Sequence, residues 1–270
     1  MVKKLKLSAS SYAHNGMTTV SIIIIGYKNK QALQTCLASI PQNSSYEIIV
    51  IDNTIENRGF AKGCNLGAAR AQGKYLFFLN PDTVLNPDTL ECLLAGLQAD
   101  DSVGIIAPSF IDDDHLPYRN YSIQPTRINT PFLFSSLKKI IPVSFLHRLD
   151  PYTSDSLTEK KYVEAVSGAA LCIEKKLFMS IGGFDEEYFM YWEDYDICQK
   201  VLDVGKNILF FPAAQLIHSN GGMTRDKKTS QQVFVAARAK FLKKRFGLFY
   251  ALIVENFIRL TEKSLHFIIP

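Results

Sequence analysis

The stretch "YLFFLNPDTVL", Tyr75 to Leu85, decides how this chain is read. Its first five residues are mostly apolar, as in a buried strand, and the run stops at Asn80-Pro81-Asp82. Pro81 has no amide hydrogen to give to a sheet ladder, so the strand must end there. An amide and a carboxylate at the tip of a core strand stand where α/β sheets bind their ligands.

The flanking sequence supports such a sheet. "VSIIII" (20–25) is a continuous β-branched run, expected of a central parallel strand covered on both faces. A helix is expected over 31–40, and "YEIIVID" (46–52) reads as a second buried strand ending in Asp52. In "GFAKGCNLGAARAQG", Ala61, Cys64, Ala68 and Ala71 fall at helical spacing, with Gly73 as the expected stop. A helix over 87–97 and a strand "VGIIAPSF" follow. This alternation predicts an α/β fold, a three-layer α/β/α sandwich with a mainly parallel central sheet. Residues 111–161 carry five prolines and are expected to be irregular, as functional loops often are. "YVEAVSGAALCI" reads as one strand, "EKKLFMSIGG" as a short helix, "EDYDICQKVLDVG" as a helix with acids in its first turn, and "KNILFFP" as a last strand. From Ser230 a basic, apolar helix pattern runs on.

Composition narrows the function classes. Hydrophobic residues make up 47%, enough for a full core, and 30 basic against 26 acidic residues leave a net charge of +4. That is too mild a charge to imply nucleic acid. The five cysteines lack CxxC spacing and read as small core residues in a reducing compartment. "MVKKLKLSAS" is not followed by a long apolar run, and no 18 consecutive apolar residues occur, so neither a secretory signal nor a spanning helix is expected. A cytoplasmic protein is expected. "FVAARAKFLKKRFGLFYALIVENFIRL" mixes lysine and arginine with large apolar residues. It suits peripheral contact with the inner face of an anionic membrane, or packing on the rest of the chain or in a homodimer.

Several residues carry candidate chemistry. The Asp82 carboxylate, following a rigid proline, suits a hard divalent cation, and it equally suits a type I turn. "YFMYWEDYD" (188–196) crowds aromatics around three carboxylates. Desolvation there would raise the pKa of Glu193 or Asp194 and suit a general base, while helix-start acids are the plainer reading. Trp192 offers a flat face for a sugar ring or is an ordinary core aromatic. His218, after an apolar strand, is a metal ligand, a phosphate contact or a structural residue. Asp52 could accept hydrogen bonds from a base or ribose, or close a turn.

Together, "SIIIIGYKN", "VIDN", "NRGFAKGCNLGAARAQGKYLFFLNPDT", "SGAALCIEKKLFMSIGGFDEEYFMYWEDYDIC" and "ILFFPAAQLIHSNGG" resemble the family 2 glycosyltransferases, in their rhamnosyltransferase-like branch with the GT-A fold. The resemblance runs from about Val20 to Gly222. It implies an N-terminal extension (1–18), a catalytic domain (19–222) and a C-terminal helical segment (223–270). It implies an inverting, Mg²⁺- or Mn²⁺-dependent transferase that moves a sugar, rhamnose in this branch, from a UDP- or dTDP-type donor to a glycan or lipid-linked acceptor in cell-surface polysaccharide synthesis. Under it, Tyr27, Asp52, Arg58, Asn65, Asn80 and Asp82 bind the nucleotide sugar. Asp82 and His218 hold the metal, and Asp194 is the base with Glu193 beside it. Trp192 and Gly168 meet the sugar or acceptor, and Gly168 and Gly183 let backbone approach substrates. Two departures stand out. Lys28 occupies a place where relatives carry a polar neutral residue. Only Thr54, Ile55 and Glu56 separate Asp52-Asn53 from Asn57-Arg58, where relatives carry a longer insert, and this shortening is expected to open one side of the nucleotide pocket. A catalytically degenerate binding protein of the same fold and a sugar nucleotidyltransferase are the competing readings. The latter would want a glycine-rich phosphate loop that "GYKNK" lacks.

Overall fold

A computed structural model describes residues 19–218 and 227–265. The N-terminal segment 1–18 and the expected boundary at 222/223 lie outside the described residues. The central sheet starts from β1 (Val20–Gly26), whose seven residues are all buried. Parallel neighbours β2 (Tyr46–Asp52) and β3 (Tyr75–Leu79) flank it, with Val20 opposite both Tyr46 and Tyr75. Further along lie β10 (Ala170–Glu174), β5 (Val103–Ile111), β11 (Asn207–His218) and β4 (Thr83–Leu85), giving the order β2-β1-β3-β10-β5-β11-β4.

The sheet is mixed. Strand β10 is antiparallel to both β3 and β5, which makes β3 and β5 parallel to each other, and β11 runs parallel to β5. One sheet edge therefore collects the C-terminal ends of β1, β2, β3 and β11 and the N-terminal end of β10. The opening stretch spans the sheet. Strand β3 sits near its middle, and after the Asn80–Asp82 turn β4 pairs antiparallel with the end of β11 at the far side.

Helices α1 (Lys30–Ser39) and α3 (Thr89–Gln98) cover one face, packing Cys36, Leu90 and Leu93 on Ile22, Ile24 and Phe77. On the other face, α2 (Phe60–Arg70), α6 (Lys175–Ser180) and α7 (Glu193–Asp203) pack on Ile23, Phe78 and Leu171. The small face of α2 has a steric purpose: a Cβ at Gly67 would lie 2.4 Å from Ile23 Cγ2. Helix α2 closes at Ala71 rather than at Gly73. Gly73 instead fits where a Cβ would lie 2.6 Å from the Ser21 amide, and its own amide donates to Ser21 Oγ at 2.8 Å.

The expected single strand "YVEAVSGAALCI" is three. β8 (Lys161–Val163) pairs with β11, β9 (Ala165–Val166) pairs with β7 (Tyr121–Ser122), and β10 enters the sheet centre. Gly168 sits at the break between the last two. The irregular region contains β6 (Pro117–Tyr118), which adds to β5, and short helices α4 (Thr130–Leu133) and α5 (Val143–Leu149). Strand β11 runs past Pro212 with a register break between Phe211 and Gln215 and delivers His218 to the ligand edge.

The C-terminal pattern forms a helical hairpin, α8 (Lys227–Phe246) and α9 (Leu248–Leu265), turning at Gly247 with φ 94°. Its core joins Phe241, Leu242, Val254 and Ile258 to Trp192 and Tyr188. A bidentate pair, Arg238 to Glu255 at 2.7 and 2.8 Å, ties the two helices together. Among the described residues, no helix is long and apolar enough to cross a membrane.

Candidate active site

A cleft of about 370 Å³ opens along the edge where these strand ends meet. Tyr27 comes from the tip of β1, Asn53 from β2, Asn80, Pro81 and Asp82 from β3, Gly168 and Ala169 from the start of β10, and His218 from β11. Helix α7 begins at the same edge and adds Glu193 and Asp194. Residues 112 positions apart along the chain thus face one space because parallel strands end together and β10, running the other way, starts there.

Asp82 and His218 form the first cluster. Asp82 Oδ1 is buried without a hydrogen-bond partner among the described residues, and it lies 3.6 Å from His218 Nε2. The Tyr118 hydroxyl sits 2.5 Å from His218 Nδ1 and 3.1 Å from the His218 carbonyl. It has one proton. Given to the carbonyl, that proton leaves the hydroxyl accepting from Nδ1–H, and the Nε2 lone pair then points at Asp82. Burial lowers the His218 pKa against the opposing pull of Asp82, which keeps the ring neutral. In that tautomer Asp82 Oδ1 and His218 Nε2 both present lone pairs, a set that fits a hard cation. Among the described residues no third His, Cys, Asp or Glu joins them.

The second cluster is a pair of carboxyls. Asp194 is half-buried. Its Oδ1 accepts from the Tyr195 amide at 2.9 Å and its Oδ2 from the Gly168 amide at 3.4 Å. Burial raises its pKa, and these amides hold the rise back. Glu193 is 6% exposed, and its Oε2 has no partner among the described residues. Burial first, and the Asp194 charge second, push its carboxyl well above the usual carboxylate range. Of the pair, Asp194, whose carboxyl the two amides stabilise in its charged form, is the one to ionise first and accept a proton. The two residues before them, Tyr191 and Trp192, both take the left-handed conformation at φ 69°. Such a conformation costs on the order of 1–3 kcal/mol per residue. Packing of Trp192 between Phe134 and Phe241, with ring centroids 4.9 and 5.2 Å away, holds it there.

Five residues expected at the site lie elsewhere. Asp52 is exposed and outside the cleft lining, its Oδ1 accepting from the Thr54 amide at 2.8 Å. Arg58 is likewise outside the lining and is paired with Glu56. Asn65 spends its amide on the loop after α6: Nδ2 donates to the Phe184 carbonyl at 2.8 Å and Oδ1 accepts from the Phe184 amide at 3.0 Å. Trp192 is 1% exposed, so neither of its faces is open to a sugar. Gly183, at φ 64°, packs against Asn65 and Phe178 rather than against the cleft.

The short join reaches the cleft. Asn57, Gly59 and Phe60 line the cleft beside Asn53, and Phe60 donates its amide to the Phe189 carbonyl at 2.7 Å. Asn53, Asn57, Tyr118, Met190 and Tyr191 were not legible as site residues. Asn53 adjoins the strand tip that pointed to Asp52. Tyr118 follows a proline in a two-residue strand and carries no sequence signal. A second cavity, of about 270 Å³, adjoins the first across Ser167, Asp194 and His218, which line both. Tyr118, Arg119, Tyr121, Ser122 and Tyr195 form its walls.

Residues 53–152 match the model of glycosyl transferase family 2. Over those residues, just over a third of its length, the chain is similar to that family. It is 23% identical over 246 residues to a low-salt glycan biosynthesis hexosyltransferase, Agl10, of Haloferax volcanii, covering 83% of this chain and 74% of the relative. It is 22% identical to the rhamnosyltransferase WbbL of Escherichia coli, covering 74% of this chain and 83% of the relative. An N-acetylglucosaminyl-diphospho-decaprenol L-rhamnosyltransferase of Mycobacterium tuberculosis is 26% identical over 155 residues, covering 56% of this chain and about half of its own length, 48%. In structure the chain is similar to GalNAc-T7, solved with UDP, GalNAc and Mn²⁺, at a TM-score of 0.60 and 15% identity over 85% of this chain and 48% of that one. That likeness establishes a GT-A-like fold. The family match includes the cleft residues Asn53, Asn57, Asn80 and Asp82.

Proposed function

We propose that the chain moves a sugar, with inversion, from a UDP- or dTDP-type donor to a hydroxyl of a glycan or lipid-linked acceptor during cell-surface polysaccharide synthesis. The observation that carries this reading is the convergence of Asp82 and Asp194 on one cleft, the first with a buried, unpartnered oxygen and the second with a raised pKa. Donor diphosphate would lie at the strand tips near Tyr27, Asn53, Asn80 and Asp82. Asp82 and the Nε2 atom of His218 would hold Mg²⁺ or Mn²⁺, which when bound neutralises charge on the departing diphosphate. The acceptor would enter through the adjoining cavity, whose border with the cleft carries Asp194. Asp194 takes the proton of the attacking hydroxyl as that oxygen bonds to the anomeric carbon and the bond to diphosphate breaks. Glu193 keeps its proton and does not compete as base. The relatives named for rhamnosyl transfer, one of them to a lipid diphosphate, favour rhamnose and a lipid-linked acceptor.

Calorimetry of UDP and dTDP binding, with and without Mn²⁺, tests the donor end. Binding that requires the metal in the wild type and loses its metal-dependent signal in Asp82→Ala is the expected result. A metal requirement unchanged by Asp82→Ala would remove the site. Release of nucleoside diphosphate from a panel of nucleotide sugars tests turnover.

A further inference from the structure

The C-terminal hairpin is asymmetric. Helix α8 buries its apolar side chains Ala237, Phe241 and Leu242, whereas α9 buries only one face, with Ala251, Val254 and Ile258. The opposite face of α9 turns Phe249, Leu252, Ile253 and Leu260 outwards, 52–79% exposed. The turn over Ser136–Lys139 packs beside α9, and the chain that follows it exposes Ile140, Val143 and Phe145. Of the sixteen large apolar side chains exposed among the described residues, nine belong to 138–148 and 248–263. Such concentration marks a contact surface rather than ordinary scatter.

The charges around these side chains name the partner. Every exposed charged side chain in the two stretches is basic: Lys138, Lys139 and Arg148 in one, with His147 beside them, and Arg259 and Lys263 in the other. The acids of α9 are only half-exposed, and Glu255 is tied to Arg238. An apolar face bordered by cations is complementary to an anionic lipid surface. A second copy of this chain would set like charges against each other. The N-terminal 18 residues carry Lys3, Lys4 and Lys6 and no acid, so they do not complement the face either.

We propose that α9 and the 138–148 segment form one lipid-contact surface that seats the protein on an anionic bilayer. Apolar side chains enter the interface while the lysines and arginines meet headgroup phosphates. As a means of meeting a lipid-linked acceptor, the surface rests on the reading of function above. Binding to bare vesicles needs no donor, metal or acceptor, so its failure would leave that reading standing.

The test is flotation of the full chain with vesicles of phosphatidylcholine alone and of phosphatidylcholine with phosphatidylglycerol. The wild type is expected to float only with the anionic vesicles, and less so as salt is raised. Each cation at such a surface contributes roughly fivefold, so Lys138→Gln/Lys139→Gln/Arg148→Gln should weaken partition on the order of 100-fold. Phe249→Gln/Ile253→Gln should abolish flotation while circular dichroism stays that of the wild type, because both side chains are exposed. Absence of flotation, or flotation that both variants retain, overturns the proposal. So does a concentration-dependent dimer in lipid-free ultracentrifugation that Phe249→Gln/Ile253→Gln disperses, which would assign the face to a second copy.

Discussion

In Asp194→Asn the side chain keeps its volume and loses its proton acceptor. The amide oxygen can still accept from the Tyr195 amide, now 2.9 Å from Oδ1. The new NH₂ faces the Gly168 amide, now 3.4 Å from Oδ2, and two donors oppose each other there at small cost. Donor binding should therefore survive, because Asp82 and His218 are untouched. Loss of a positioned general base costs roughly 10²–10⁴-fold in rate, or about 3–5 kcal/mol of transition-state stabilisation. The fall should appear in kcat, with the donor KM within about twofold, since the interaction is made in the transition state. Wild-type kcat should fall as pH drops through the raised value of Asp194, and the variant's residual rate should be flat over that limb. Stability should move in the opposite direction. Folded Asp194 and Glu193 hold their protons more tightly than the unfolded chain, whose carboxyls titrate near about 4. Their burial favours folding in acid, and that advantage is lost as pH rises through the folded values. Asp194→Asn has one charge fewer to bury, so its thermal midpoint should exceed the wild type's at pH above the raised Asp194 value and match it in acid. Nucleoside diphosphate release and differential scanning fluorimetry across pH check both halves. Transfer at the wild-type rate, or a loss confined to donor KM, would refute the base assignment.

Three other perturbations separate positioning from packing. Tyr118→Phe removes the hydroxyl that fixes the His218 ring, and outer-shell losses of this kind weaken metal affinity roughly 10–100-fold. Electron paramagnetic resonance of free Mn²⁺ in the presence of UDP reads this, and ¹⁵N shifts of His218 should report loss of the Nδ1–H form. Trp192→Ala should cost about 3–5 kcal/mol by denaturant unfolding, whereas Trp192→Phe should leave the acceptor KM unchanged; a raised KM at unchanged stability would restore Trp192 as a sugar contact. Asn65→Ala should destabilise by about 1–3 kcal/mol through the unpaired Phe184 backbone, with the calorimetric affinity for donor unaltered.

Much of the α/β framework is legible from residue order. The β-branched runs of β1 and β2, the small face of α2 and the proline after β3 are local features whose physics needs no partner, and they announce the layers and the ligand edge. Asp82 and His218 are legible because each stands where an apolar strand gives way to polar residues, and Asp194 because it is an acid opening a helix behind an aromatic run. Where the reading went astray, the deciding interaction was non-local. The resemblance implied Asn65 as a nucleotide contact, yet Phe184 takes its amide from 119 positions away. Of the two readings of Trp192, a face for a sugar ring or a core aromatic, burial under α8 and α9 selects the second.

Hydrophobic period and chain-breaking residues act over a few positions, so the primary structure alone dictates the strands, the helices and the polar tips. The antiparallel insertion of β10, the crossing of β4 to the far side of the sheet and the Tyr118–His218 contact, 100 positions apart, arise from which surfaces can be buried together. Burial is a property of the assembled fold. It separates the ionising behaviour of Glu193 and Asp194, two adjacent acids that read alike in the chain.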